Sequence, residues 1–421
     1  MHCRALRILL ISNFYPPHHI GGAEIRGAEL VEALRARGHI VEVLTSRYGT
    51  ETIRNAIGIH RVLNLDSELD YYHPGRFFLS WARQQHENDR EIKRVMECQN
   101  PDVVLIWSMW NLSYRVPFLC ELLRPDRVVY QISGDWPHAP SVHEHFWLDP
   151  AHAWPLRWPK RMLGAIALQI LEQAPSPRQL RFCHVVAVSH AIRQELIEKT
   201  RISPENIQVI HNGIDPEPFL KHSRLTQPQR DGEPLKVLYA GGLYEHKGVH
   251  TLLEAFARLQ PRSDHQKVFL TILGSGHPDY ETRLHKLVDR EGISPYVTFR
   301  PRVPRELVAR ILGEHDILVL PSIYEPLTRM LQEAMAAGLA VIGTDAWGTR
   351  EILVQDVNGL TFQPEDAHGL AQQLARLIDD PALRRRLGEA AQQTVLDKFT
   401  LDRMVDETEA YLQQVANGFK S

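Results

Sequence analysis

The residues best suited to chemistry are two glutamates, Glu325 and Glu333. The apolar run 317–320 predicts a buried strand, and Pro326 followed by 328–337 predicts a helix with the proline in its first turn. Glu325 is therefore expected in a loop after a strand, and Glu333 inside the helix. Such a loop borders the ligand crevice of an open α/β sheet, and the helix start offers unpaired N–H groups to an anion. The pattern suits a ligand with hydroxyl groups and a phosphate; the alternative is two solvated surface glutamates.

Strand and helix signals alternate along most of the chain, which predicts the α/β fold class with doubly wound sheets. The predicted strands are short apolar runs that end in polar or glycine-containing loops, at 7–12, 40–45, 102–107, 128–132, 184–188, 207–210, 236–240, 268–273, 296–299, 317–320 and 340–343. Three long helices are predicted at 23–37, 76–99 and 401–416.

Glycines follow several of these strands, where they let the backbone approach a ligand. Gly21 and Gly22 precede the first helix, and two further glycine loops lie at 241–242 and 274–276. Because the first loop lacks the G-x-G-x-x-G spacing, a dinucleotide-dependent dehydrogenase is disfavoured.

Length and composition indicate a globular protein of two domains. The chain has 421 residues with 43% hydrophobic and 24% charged residues, which argues against disorder and coiled coil. A net charge of −3 gives no overall attraction to nucleic acid. The four cysteines are scattered without metal-ligand spacing, which favours reduced thiols in a cytoplasmic protein. No apolar run reaches the roughly 20 residues of a membrane span, and no metal site is predicted.

The charged and proline-containing segment 221–234 is the expected domain boundary. We predict an N-terminal Rossmann-like domain over 1–215, a linker over 216–234 and a second Rossmann-like domain over 235–400. A final helical segment, 401–421, is expected to pack back toward the first domain.

A separate feature is the tryptophan-rich and basic segment 153–171. It combines Trp154, Leu156 and Trp158 with Arg157 and nearby basic residues, ahead of an apolar helix. This composition is typical of a helix that lies on an anionic membrane surface. The alternative is an ordinary amphipathic helix packed on the N-terminal sheet.

Motifs spread over nearly the whole chain carry a family resemblance. They are Phe14-Tyr15-Pro16-Pro17, Gly21-Gly22-Ala23-Glu24, Ala187-Val188-Ser189, Ile210-His211-Asn212-Gly213-Ile214-Asp215, Gly241, Lys247-Gly248, Gly274-Ser275-Gly276, Glu325 and Glu333-Ala334-Met335-Ala336-Ala337-Gly338. In this order they resemble glycosyltransferase family 4, the retaining nucleotide-sugar transferases. The resemblance implies the GT-B fold, in which two Rossmann-like domains face one another across a cleft.

The resemblance also implies roles for individual residues. Glu325 would contact the donor sugar, Glu333 the ribose, and Lys247 the diphosphate. The N-terminal domain would bind the acceptor. The other donor-binding residues implied are Gly21, Gly22, Gly241, Gly274, Gly276, Arg302, Leu327, Thr328 and Arg329.

Three departures from the family pattern concern the charges near the donor. Gly242 stands where the family commonly has Arg, and Thr328 stands where glycine is usual. The usual His before Asp135 is absent, so Asp135 and His138 are taken as catalytic candidates beside Glu325 and Lys247. We hypothesise that Arg329 supplies the missing phosphate cation; the alternative is an ordinary salt bridge to a surface carboxylate.

The sequence therefore predicts a retaining hexosyltransferase that moves a sugar from a nucleoside diphosphate to a glycan, lipid-linked or small-molecule acceptor, without cofactor or metal. A role in cell-surface polysaccharide synthesis and a cytoplasmic location, with or without membrane contact, go with it. The alternatives are a catalytically weakened nucleotide-sugar binding or scaffold protein, and a nucleotide-sugar epimerase.

Overall fold

The computed structural model describes residues 4–50, 57–69, 71–149, 157–227, 233–259 and 267–418. These residues form two compact units. The first comprises residues 1–210 together with 405–421, and the second comprises residues 211–404.

The first unit is built on a seven-stranded sheet whose paired strands are all parallel, in the order β3-β2-β1-β4-β5-β6-β7. The strands are β1 (Arg7–Ser12), β2 (Ile40–Ser46), β3 (Ile59–Leu63), β4 (Val103–Ser108), β5 (Val128–Ile132), β6 (His184–Ala187) and β7 (Ile207–Val209). Its central strands are apolar and almost wholly buried, as expected for a parallel sheet covered by helices on both faces.

The helices of the first unit alternate with these strands along the chain. They are α1 (Gly22–Ala36), α2 (Pro74–Arg76), α3 (Ala82–Gln99), α4 (Arg115–Leu123), α5 (Val142–Leu148), α6 (Arg157–Glu172) and α7 (His190–Lys199). A π-helical segment, Phe77–Trp81, joins α2 to α3.

The second unit contains a six-stranded parallel sheet in the order β10-β9-β8-β11-β12-β13. Its strands are β8 (Leu235–Ala240), β9 (Val268–Leu273), β10 (Val297–Arg300), β11 (Ile317–Leu320), β12 (Ala340–Thr344) and β13 (Leu360–Phe362). Its helices are α8 (Glu217–Leu220), α9 (Val249–Ala257), α10 (Pro278–Arg290), α11 (Val308–Gly313), α12 (Arg329–Ala336), α13 (Trp347–Ile352), α14 (Ala367–Asp379) and α15 (Pro381–Lys398). The last helix, α16 (Leu401–Ala416), enters the first unit from residue 405 onward.

The predicted α/β class with two doubly wound sheets is confirmed, and most predicted strands end within a residue or two of those observed. Two sheet-edge strands, β3 and β13, were not predicted, because β3 carries His60 and Arg61 and β13 spans only three residues. The predicted helix 76–99 is interrupted by the π-helical segment.

The position of Pro326 was also predicted wrongly. The helix after β11 begins at Arg329 with Thr328 as its N-cap residue, so Pro326 lies in the preceding loop rather than in the first turn. The backbone N–H of Gly348 donates to the carbonyl of Glu325 at 3.1 Å, which holds this loop against the start of α13. The helix start itself lies within one residue of the predicted position 328, and Thr328 is of a residue type favoured at the N-cap.

Candidate active site

The candidate site of the second unit lies where its strand order reverses, between β8 and β11. Ligands of doubly wound sheets bind beyond the carboxyl ends of the strands at such a point. The loop after β8 contains Gly241, Gly242 and Lys247, and the loop after β11 contains Glu325. The sheet topology therefore brings together residues that are far apart in sequence.

Lys247 and Glu325 form an ion pair at this point. The Nζ of Lys247 lies 2.6 Å from Oε2 of Glu325, and their side chains are only 22% and 13% exposed. The backbone N–H of Ile323 donates to the carbonyl of His246 at 2.8 Å, so the two loops are also joined through the backbone. Burial and the neighbouring Lys247 lower the pKa of His246, which leaves the lysine as the cation of this loop near neutral pH.

Glu333 lies on α12 and is buried, with its side chain 2% exposed. Its Oε1 accepts from Nε of Arg329 at 2.6 Å and from a terminal guanidinium nitrogen of Arg305 at 2.9 Å. Two guanidinium groups therefore meet at one buried carboxylate oxygen and fix the orientation of that carboxylate.

This geometry bears on the hypothesis that Arg329 binds a phosphate. The Nε of Arg329 is committed to Glu333, and the carboxylate it meets is buried rather than on the surface. Neither expectation for Arg329 describes that contact. The partner of Glu333 that sequence reasoning missed is Arg305, which follows β10 and approaches Glu333 only in the folded unit.

The glycine loops of the second unit are packed backbone against backbone. Gly274 has a φ of +147°, and a Cβ there would lie 1.8 Å from the carbonyl oxygen of Gly241. A Cβ at Gly276 would lie 2.1 Å from the carbonyl oxygen of Leu243. Only glycine fits these positions, because any side chain would separate the loops after β8 and β9.

Gly242 occupies a different environment. A Cβ there would lie 2.7 Å from the ring of Tyr244, while its carbonyl accepts from the Tyr239 hydroxyl at 2.7 Å. The ring of Tyr244 stacks on His246 with their planes 8° apart. The space beside position 242 is thus filled by an aromatic side chain.

Three further residues predicted to bind the donor, Leu327, Thr328 and Arg302, lie in the loops after β10 and β11. Leu327 is buried, and Thr328 precedes α12 without a side-chain capping hydrogen bond. Arg302 is exposed in the loop after β10, and the carbonyl of Arg300 in β10 accepts from the N–H of Gly274 at 2.9 Å.

The predicted residues of the first unit lie at two places along its sheet. Gly21 is the N-cap residue of α1, and its N–H donates to Oε2 of the buried Glu24 at 3.0 Å. A Cβ at Gly21 would approach nothing closer than 3.9 Å, so packing within the unit does not require glycine there. Gly22 is the first residue of the same helix.

Asp135 and His138 follow β5 and share a turn. The backbone N–H of His138 donates to the carbonyl of Asp135 at 2.9 Å. The Asp135 side chain is exposed, whereas Nε2 of His138 points to Glu195 on α7 at 3.4 Å. The turn therefore directs the carboxylate outward and the imidazole inward.

Comparisons with known proteins agree with this architecture. The family model described as Glycosyltransferase Family 4 matches residues 20–218, and the model described as Glycosyl transferases group 1 matches residues 224–394. The N-acetyl-alpha-D-glucosaminyl L-malate synthase of Bacillus anthracis is 30% identical over 415 residues, which cover 96% of each chain.

Two solved structures share the fold. A glycosyltransferase from Rickettsia africae superposes with a TM-score of 0.73 at 18% identity, covering 99% of this chain and 100% of that one. Anabaena HepE in complex with UDP-glucose superposes with a TM-score of 0.65 at 20% identity, covering 96% and 99%. The chain belongs to glycosyltransferase family 4 and has the GT-B fold. It is a glycosyltransferase.

Proposed function

We propose that the protein transfers a hexose-type sugar from a nucleoside diphosphate to an acceptor hydroxyl and retains the anomeric configuration. The observation that carries this proposal is the partly buried ion pair between Lys247 and Glu325 at the strand-order reversal of the second unit. It offers one cation for a diphosphate and one carboxylate for sugar hydroxyls, on two loops that are fixed to one another.

Donor binding would exchange partners within this pair. The diphosphate takes Lys247, and the released carboxylate of Glu325 accepts from hydroxyls of the sugar. As the glycosidic bond breaks, its electron pair leaves with the diphosphate, and Lys247 together with the amides at the start of α12 stabilises that charge. The acceptor oxygen then bonds to the sugar carbon, and its proton passes to the departing diphosphate oxygen, which has gained the electron pair of the broken bond. No metal enters this scheme.

Glu333 would hold the ribose of the donor in the same unit. Its Oε1 is fixed by Arg305 and Arg329, so the carboxylate is oriented before the nucleotide arrives. A carboxylate that is positioned in advance pays little ordering cost on binding. The Anabaena neighbour in complex with UDP-glucose supports a nucleotide sugar as the donor.

The donor can be identified by a panel of nucleoside diphosphate sugars with different bases and hexoses. We expect one donor to raise the melting temperature and to be turned over with release of the nucleoside diphosphate. NMR of the product should show the anomeric configuration of the donor. An inverted product would refute retention, and release without transfer to any acceptor would favour the weakened binding protein.

Exposed apolar residues on α6 support a peripheral membrane location as part of this proposal. Trp158 and Met162 are 74% and 68% exposed, and Ile166 and Ile170 continue the same helical face at intervals of one turn. Arg161 is exposed beside them. Of the segment named above, residues 153–156 lie outside the described part of the chain, and within the described part no helix is long and apolar enough to cross a membrane.

A lipid-linked acceptor for cell-surface polysaccharide synthesis at the cytoplasmic face would fit such a surface. Vesicles with acidic lipids should retain the protein at low salt and release it at high salt. The variant Trp158→Ser with Met162→Ser should bind less, with unchanged turnover of the donor in solution. Equal binding to neutral and acidic vesicles would contradict the electrostatic part of this proposal.

A further inference from the structure

The first unit contains a cavity of about 250 Å³ at the carboxyl edge of its sheet. Its walls come from Tyr48 after β2, from the segment 63–68 that ends β3 and continues beyond it, and from His143 on α5. Reciprocal hydrogen bonds between Asn111 and Ser67, at 2.9 and 3.0 Å, fix the segment after β3. A cavity of this volume is many times larger than the roughly 10–15 Å³ that a single water needs, so it can hold a small ligand.

A buried carboxylate lies in this cavity. Oδ1 of Asp66 accepts from Nε1 of Trp81 at 3.1 Å and from the side-chain amide of Gln85 at 2.9 Å. Both donors are neutral, and burial raises the pKa of Asp66 to about 6. Both hydrogen bonds fall on Oδ1, which leaves Oδ2 without a donor among the described residues.

Hydrogen bonds hold the ring of His143 in place. Nε1 of Trp147 donates to the Tyr72 hydroxyl oxygen at 3.0 Å, because an indole N–H can only donate. The Tyr72 hydroxyl in turn lies 2.8 Å from Nδ1 of His143, in hydrogen-bond contact with it. Burial lowers the pKa of His143 to about 4, so the ring is neutral and only one of its two nitrogens carries a proton.

Nε2 of His143 is buried and has no hydrogen-bond partner among the described residues. It lies 4.0 Å from Oδ1 of Asp66, which is too far for a hydrogen bond. A buried polar nitrogen without a partner costs free energy, and a hydroxyl can serve it in either tautomer, because a hydroxyl both accepts and donates hydrogen bonds. The spacing therefore fits a hydroxyl oxygen placed between the imidazole and the carboxylate.

We propose that this cavity binds a neutral, hydroxyl-rich ligand of the sugar or cyclitol class, with one hydroxyl between His143 and Asp66. If the protein is a sugar transferase, as proposed, this ligand is the sugar acceptor, and that assignment rests on the proposed function. The binding itself does not depend on that function.

The charges at the rim favour a neutral ligand over an anionic one. Arg76 pairs with Glu68, and the same carboxylate lies 3.1 Å from Nε2 of His73. Arg47 lies 4.0 Å from a carboxylate oxygen of Glu87. Because the rim cations face carboxylates, a phosphate would have to displace them and would also approach the carboxylate of Asp66.

Saturation-transfer NMR with a panel of neutral hexoses, N-acetylhexosamines and inositols, together with their phosphates, tests the proposal. At least one neutral compound should bind the wild-type protein. Asp66→Asn should weaken that binding at least tenfold, although Asn retains an oxygen for Trp81 and Gln85. His143→Phe, which removes the ring nitrogens and keeps a flat ring, should weaken it similarly. Asp89→Asn, at a carboxylate paired with Arg115 outside the cavity, should leave it unchanged.

Binding that is equal in the wild type and in both cavity variants would overturn the proposal, as would binding of phosphates alone. A cavity that holds only water, with no compound bound, would overturn it too. The acceptor assignment has its own readout, since Asp66→Asn should lose transfer to the bound compound while it keeps hydrolysis of the donor. Absence of both transfer and donor binding in the wild type, with every donor tried, would refute the transferase proposal and leave the sugar-binding result standing.

Discussion

The two sheets follow the same strand order over their first six strands. At their carboxyl edges, however, the groups that contact the carboxylates differ in charge. In the second unit, Glu325 faces Lys247, and Glu333 faces Arg305 and Arg329. In the first unit, Asp66 receives hydrogen bonds from neutral groups. The same topology thus provides a site with paired charges and a site with a carboxylate held by neutral donors.

This difference matches two kinds of ligand. A cation that already faces a carboxylate can accept an anion in its place, so the second unit is suited to a charged donor. A carboxylate surrounded by neutral donors favours hydroxyl groups over anions, which suits an uncharged acceptor. Charge, rather than fold, therefore distinguishes the two edges.

The largest effect is expected at Glu333. In the structure, Glu333→Ala leaves two guanidinium groups around a buried position without their carboxylate. Breaking a buried pair costs about 3–5 kcal/mol, so we expect a large fall in the urea midpoint of the second unit. A midpoint equal to that of the wild type would show that the cluster is not a buried ion pair in solution.

Replacing Lys247 should affect turnover more than folding. Lys247→Met removes the cation for the leaving diphosphate, and we expect turnover to fall by roughly 10²–10³, or about 3–4 kcal/mol. Arg283→Met breaks an exposed pair with Glu245 in the neighbouring loop and serves as the matched control. Its turnover should stay within about twofold of the wild type. Similar losses in both variants would remove the special role of Lys247.

Much of the second unit could be predicted from the sequence. Its apolar strands end at glycine or polar loops, and a doubly wound topology brings the loops after β8 and β11 together. Periodicity and topology thus place Lys247 and Glu325 at one edge, and the family resemblance supplies their roles. The contact of 2.6 Å between them agrees with that placement.

The contacts that were not predicted are set by side-chain packing. Arg305 reaches Glu333 through the arrangement of α11 and α12, and Tyr244 fills the space beside Gly242. Asp66 and His143 approach only after α5 packs near the end of β3. Each is a tertiary contact between segments with different local patterns, so hydrophobic periodicity contains no signal for it.

The proposed site for a neutral ligand can be tested by measuring how the unfolding free energy depends on the charge of Asp66. Its pKa is raised from 3.8 to about 6, so the folded state holds the proton more tightly than the unfolded state. Stability from this group is therefore fully present below about pH 4 and is lost as the pH rises through 6. Asp66→Asn should raise the unfolding free energy at pH 8 by up to about 3 kcal/mol, with little difference at pH 4.

Thermal unfolding of Asp66→Asn and the wild type from pH 4 to 8 measures this effect. A gain in stability combined with lost sugar binding would mark the carboxylate as kept for function at a cost in stability. A stability difference that does not depend on pH would contradict the raised pKa.

The smallest effect is expected at position 242, where the family pattern has an arginine. The backbone there admits any residue. The obstacle is the ring of Tyr244, which would lie 2.7 Å from the Cβ of a side chain at position 242. Gly242→Arg alone should therefore cost about 1 kcal/mol of stability and bring no gain in donor affinity. The substitution Tyr244→Ala opens this space. A double-mutant cycle of unfolding free energies should therefore show a coupling of about 1–2 kcal/mol between positions 242 and 244.

Substitutions at position 242 also test the role of Arg329. If its main contact is Glu333, Arg329→Ala weakens the orientation of that carboxylate, and a new arginine at position 242 cannot replace it. We therefore expect Gly242→Arg to leave the turnover of Arg329→Ala unchanged, even when Tyr244→Ala is present. If Gly242→Arg instead restores turnover, Arg329 acts on the phosphate after all, and the charge on the two sides of the donor is interchangeable. Steady-state kinetics of Arg329→Ala, with Gly242→Arg, with Tyr244→Ala, with both and with neither, separate these outcomes. Orientation of Glu333 affects KM for the donor, whereas stabilisation of the leaving phosphate affects kcat.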